Sequence, residues 1–211
     1  GKTTGEVEYE SRADDLYVQG TSRETISIKE TTGGNYEALD IDSKTTVVVE
    51  DDNDTVTVKL TATEKTTEGG EITYTVTLVD KDGNPVDTKT GVTVELSNGE
   101  TITIDANSSS KSLTIDAETD DVYVDAKDVS VSIENVIETN KGLENSFENL
   151  VADKTPVVTK VTDTTDTVTV KLSATGETTE GGKITYTATL VDEKGNQVNT
   201  KTGVTVELSN G

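Results

Sequence analysis

The chain has 211 residues, 30% hydrophobic and 3% aromatic, and its 41 acidic against 18 basic residues leave a net charge of −23. That charge excludes phosphate backbones and anionic membrane surfaces as partners and draws cations instead. Histidine and cysteine are absent, which removes the commonest general base, the thiol nucleophile and any disulfide staple for a small domain.

From the N-terminus, the first segment carries the acidic pair Asp14 and Asp15 in DDLYV, then GGNYEALD, and ends in the acidic linker EDDND, Glu50 to Asp54. Beyond it, threonine, valine and isoleucine alternate with period two in TVTVKLTAT, ITYTVTLV, GVTVEL, TITID, KSLTIDA, VSVSIE and TPVVTKV. Seven such runs between Thr55 and about Val161 predict an all-β fold, an antiparallel Greek-key sandwich of immunoglobulin type. Alternation places Val56, Val58 and Leu60 on one face, with Ile72, Tyr74, Val76 and Leu78 as the matching layer and threonine turned to solvent. Gly69 with Gly70, the run Asp82 to Pro85, and Ser97 to Gly99 supply the reversals. Ile137 to Leu150 is the least strand-like stretch and reads as a long loop with room for a helical turn. No apolar run approaches the ~18 residues that span a bilayer, so no membrane insertion is expected in this segment.

The chain repeats itself. Thr55 to Gly99 returns as Thr167 to Gly211 with nine of forty-five positions changed, and DDLYV at Asp14 returns as DDVYV at Asp120. A period of 112 residues is one small domain, which predicts tandem sandwiches in a linear array. The expected boundaries are 1–52, the back part of one copy; 53–163, a complete copy; and 164–211, the front part of the next. The two incomplete copies expose strand edges, so head-to-tail association of neighbouring molecules is expected.

Strand direction gathers acids distant in sequence at one end of each sandwich. The turn after the first run brings Glu68, the loop after the fifth brings Asp120 and Asp121, and the exit linker brings Asp163 and Asp166. By the same logic the preceding linker gathers Asp14, Asp15, Asp51, Asp52 and Asp54. Such carboxylates repel one another unless a cation sits among them, and an all-oxygen set suits Ca2+, which takes ~6 to 8 oxygens. The bland alternative is a solvated acidic surface. The linkers differ, VTDTTD against EDDND, and Asp51 is read as facing Thr162, so metal occupancy is expected to differ. Asp80, Asp82, Asn84 and Asp87 imitate the start of a helix-loop calcium site but lack its closing glutamate, and read as a tight turn. Tyr74 with Tyr186, and Tyr17 with Tyr123, repeat at alternating positions and read as core residues with the hydroxyl at the edge.

TTEGGxITYTxTLVDxxGN, VTVELSNGxTITI, DDVYVD, GGNYEALD and an acidic linker ending in DxxDTVTV together resemble the extender repeats of giant RTX adhesins, the biofilm-associated and ice-binding surface proteins of Gram-negative bacteria. The resemblance spans nearly the whole chain. It implies an extracellular, cell-surface stalk of immunoglobulin-like domains, secreted by a type I system, stiffened by calcium between domains and projecting binding modules held elsewhere. It also implies that Glu68, Asp120, Asp121, Asp163 and Asp166 match the family's acidic linkers. The function expected is thus a non-enzymatic spacer whose partners are neighbouring copies and calcium ions; the alternative is a repeat that is itself adhesive through homotypic contacts between cells.

Overall fold

The structure is a computed structural model that describes residues 2–210. Among these residues every regular element is a strand, so the loop after Ile137 contains no helix. The first seven strands are β1 Ser22–Ser27, β2 Lys44–Val49, β3 Thr55–Ala62, β4 Lys65–Thr67, β5 Glu71–Val79, β6 Val92–Leu96 and β7 Thr101–Ile104. They are followed by β8 Ser110–Asp116, β9 Val129–Val131, β10 Ile133–Glu138, β11 Asn149–Ala152, β12 Val157–Thr162, β13 Thr169–Ala174 and β14 Tyr186–Val191. One compact unit runs to Ala62 and includes Thr73–Leu113 and Ser130–Val157; the other comprises Thr63–Ile72, Thr114–Val129 and the chain from Val158 onward.

In the first unit the layers are the sheets β11-β3-β5-β8 and β10-β6-β7. The period-two runs bury one face as their alternation requires. Val56 and Val58 of β3, Val76 and Leu78 of β5, Val92 and Val94 of β6 and Ile102 and Ile104 of β7 are all buried. Each such side chain contributes about 1.5–3 kcal/mol of burial, while the threonines between them stay at the surface. The hairpin β6–β7 turns at Gly99, whose φ of 87° is open to glycine at little cost, with Gly99 N donating to Leu96 O at 2.9 Å.

The sandwich is not wholly antiparallel. β11 runs parallel to β3, with Asn149 opposite Thr55 and Ala152 opposite Val58. In the second unit β12 runs parallel to β4, with Lys160 opposite Lys65. Both pairs join segments far apart in sequence, and a long connection lets the chain return in the same direction. VSVSIE also divides, into β9 and β10, with a register shift at Ile133/Asn135 where β10 meets β6.

The segments before β3 and after β12 form two-stranded sheets, β1–β2 and β13–β14, that leave Ile26, Val47, Val170 and Leu172 exposed. Tyr74 is 1% exposed and its hydroxyl has no hydrogen-bond partner, so it lies inside the core and not at its edge. Burial pushes its phenol pKa up. Tyr74→Phe is therefore expected to raise stability by about 1 kcal/mol in chemical denaturation, by removing an unmatched buried hydroxyl; a loss of stability would show that the hydroxyl is matched.

Candidate functional site

In the second unit, three segments meet around Glu68. The turn Thr67–Gly70 carries it out of β4, and Gly69 has a φ of 70°. A Cβ on Gly69 would lie 2.9 Å from Asp120 Cβ, and one on Gly70 would lie 2.3 Å from Thr66 Oγ1 and 2.9 Å from Thr67 O. EGG is thus a steric requirement: a side chain at Gly69 would push against the acid-bearing loop, and one at Gly70 against Thr66 and Thr67 of the turn itself. Gly69 N donates to Glu118 O at 2.7 Å and Ala117 N to Gly70 O at 2.8 Å, which fixes the segment leading to Asp120. Glu68 N donates to Thr162 O at 3.1 Å, and Thr164 N donates to Glu68 Oε1 at 3.0 Å.

Glu68 is only 3% exposed in consequence. It belongs to two groups of carboxylates, Glu68–Asp120–Asp166 and Glu68–Asp125–Asp163, in each of which one oxygen per residue lies within 4.8 Å of the others. Asp163 accepts from Ala126 N at 2.9 Å and Asp125 N at 2.7 Å, and these backbone donors hold its pKa below the usual carboxylate value. The Thr164 hydroxyl lies 2.6 Å from Asp120 Oδ1 and 2.9 Å from Asp166 Oδ2. Its single proton can serve only one of them at a time.

The first unit holds a third group, Asp14–Asp52–Asp54. The neighbouring Asp52 charge pushes the pKa of Asp14 up, with desolvation and then Asp54 adding to it. Glu148 beside them is raised by burial, against the opposing donation from Asp54 N at 2.7 Å. Asp51 stands apart from this group: it is ion-paired with Arg12 and accepts from Gln19 N at 2.9 Å and Gly20 N at 2.8 Å.

These contacts correct the sequence alignment of the linkers. Gln19 and Gly20 stand in the first DDxYV segment where Asp125 and Ala126 stand in the second, so the partner of Asp51 is Asp163, not Thr162. Thr164 then takes the place of Asp52, and Glu118 that of Arg12. Of the ten acids picked out in the sequence, Glu68, Asp120, Asp163 and Asp166 converge in one region, and Asp14, Asp52 and Asp54 in another. Asp15 and Asp121 turn back on their own backbone, accepting from Tyr17 N at 2.8 Å and Tyr123 N at 2.7 Å. Sequence reasoning missed Asp125, the last residue of DDVYVD, and Glu148. Asp80 accepts from the Asn84 side chain at 2.9 Å, from Asn84 N at 2.8 Å and from Asp82 N at 2.9 Å, and these bonds pull its pKa down in a tight turn.

The LapA domain profile matches residues 1–52, 54–164 and 166–211. The chain belongs to the LapA domain family. That family comprises biofilm-associated adhesins, so this is an adhesin-like bacterial repeat, and membership points to a cell-surface or extracellular protein. No curated protein matches the chain. The structure of surface layer protein SbsC, domains 1–6, aligns with 78% of this chain and 27% of its own at 19% identity, but its TM-score of 0.24 carries no argument.

The LapA matches break at Asn53 and Thr165, inside the two acidic linkers. Contacts from one LapA segment to the next recur there. Tyr17 of the first segment donates its hydroxyl to Asp87 O of the second at 2.6 Å, and Lys89 Nζ lies 3.6 Å from the centre of its ring. Tyr123 of the second donates to Asn199 O of the third at 2.5 Å, and Lys201 Nζ lies 3.8 Å from its ring. These two tyrosines are therefore contacts from one LapA segment to the next and not core residues, which corrects the reading from alternation.

Proposed function

We propose that this chain is an extender segment of a bacterial surface adhesin: a non-enzymatic stalk of immunoglobulin-like domains, stiffened by calcium where successive copies meet and serving biofilm formation by projecting binding modules from the cell. The observation that carries this reading is Glu68, a carboxylate withdrawn from water and placed among four others. Withdrawing one anion among several is costly unless an opposite charge compensates it. Every side-chain donor in the three groups is a carboxylate oxygen, the preference of a hard divalent ion.

Glu68, Asp120 and Asp166, or Glu68, Asp125 and Asp163, would hold the ion at the second linker, and Asp14, Asp52 and Asp54 at the first. When bound, calcium supplies the positive charge that lets these segments stay close. The residues themselves fix where the segments meet, through the Glu68–Thr164 and Asp163–Ala126 bonds. Extracellular calcium sites commonly work near 10^-4 to 10^-3 M, so the junctions would tighten after type I secretion from a calcium-poor cytosol.

The test is small-angle scattering and thermal unfolding in chelator and in millimolar calcium. Calcium is expected to lengthen the maximum dimension, narrow the distribution of conformers and raise the melting temperature. Superimposable curves with equal melting temperatures would overturn the proposal.

A further inference from the structure

The acid groups are not the only device at the linkers. The contacts of Tyr17 and Tyr123 share three parts: a phenol donating to a main-chain carbonyl, a lysine two residues beyond that carbonyl, and the ammonium of that lysine over the ring. The acceptor is backbone, so its side chain is free to differ, and it does: Asp87 in one copy, Asn199 in the other. The groups whose side chains make the contact, tyrosine and lysine, are the same in both.

At the first linker the contact extends into a short strand addition. Val18 N donates to Ser146 O at 2.8 Å, Asn145 N to Val18 O at 3.1 Å, and Glu148 N to Leu16 O at 3.2 Å. Tyr17 forms an antiparallel bridge with Phe147, and their rings stack with centroids 5.3 Å apart and planes 21° apart. Main-chain bonds supply adhesion and the ring supplies register, which is how an added peptide strand is recognised on a sheet edge. Carbonyl acceptor, aromatic face and ammonium make a site that needs no metal.

We propose that Leu16–Val18, led by Tyr17, and its counterpart at Tyr123 form a metal-independent docking site that seats one copy of the repeat on the next. Its partner is a second copy of the same repeat, recognised through the carbonyl of residue 87 or 199 and the lysine of residue 89 or 201. The inference shares with the stalk reading only the premise that copies follow one another; it does not use calcium. Lys201 also pairs with Asp125, Nζ to Oδ2 at 2.5 Å, whereas the first DDxYV segment has Gln19 at the position of Asp125. The first linker thus presents the ring contact without the ion pair.

Amide hydrogen exchange on the full chain, in chelator and in millimolar calcium, tests it. The amides of Val18, Asn145 and Glu148 should be protected in both buffers. Tyr17→Ala should speed their exchange at least about tenfold in chelator while leaving the amides of Val58 and Val76 unchanged, the signature of local opening. Tyr17→Phe, which keeps the stack and loses the hydroxyl, and Lys89→Ala should each give a smaller acceleration confined to the same amides. Wild-type protection present only with calcium would overturn the proposal without harming the calcium reading, as would unchanged exchange in Tyr17→Ala. Protection in both buffers with no calcium response elsewhere would uphold the docking site and sink the calcium reading alone.

Discussion

Phe147→Ala is expected to destabilise the chain by about 3–5 kcal/mol, the range for truncating a buried phenylalanine. Phe147 is the chain's one phenylalanine and is 3% exposed, in the loop between β10 and β11. Its amide donates at 2.7 Å to Glu138 Oε1, a carboxylate whose other oxygen is buried without a partner and whose pKa is raised chiefly by that burial. Truncating the ring leaves a cavity under Tyr17 and admits water to this carboxylate. It also removes the stack that anchors Leu16–Val18. Denaturant midpoints check the result, with Leu143→Ala as comparison: Leu143 lies in the same loop at 62% exposure and should shift stability by no more than about 0.5 kcal/mol. Similar losses from the two variants would show that the loop is not a folded anchor.

Alternation along β3, β5 and β6 was legible because a half-buried strand must place apolar residues at every second position, and Val56, Val58 and Leu78 lie where that rule puts them. Periodicity carries no strand direction, however, so the parallel pairing of β11 with β3 was hidden in it. Nor does it carry context. Val58 and Val170 occupy the same position in nearly identical sequences, yet one is fully buried and the other 43% exposed. Only the first is joined by β11 and faces the β6 layer.

The acid groups were partly legible because strand direction brings the ends of alternate strands together, which places Glu68 with Asp120 and Asp166. Asp125 was missed because only the acidic pair that opens DDVYVD was picked out, whereas the irregular segment runs on and brings its last acid within reach of Asp163 and Glu68. The tyrosine contacts left a weaker trace still. Their acceptors are main-chain carbonyls, which have no residue signature, so a repeated tyrosine looked like a repeated core position.

Glu68→Gln is expected to change sign with calcium. In chelator the variant should be at least as stable as the wild type, because the amide oxygen can still accept from Thr164 N while one of five crowded negative charges disappears. In calcium it should be less stable than the wild type, because it loses the one buried ligand that both groups share. A roughly tenfold loss of affinity would remove about 1.4 kcal/mol of calcium-linked stabilisation at saturating metal. Calorimetric titration with thermal unfolding in both buffers reads the two arms separately. The first linker serves as an internal comparison: none of Asp14, Asp52 and Asp54 is buried, whereas Glu68 is. Most of the calcium-dependent signal should therefore come from the groups around Glu68 and disappear with the substitution. If Glu68→Gln destabilised the chain equally in both buffers, Glu68 would be a structural carboxylate held by Thr164, and the acids around it would be solvated surface.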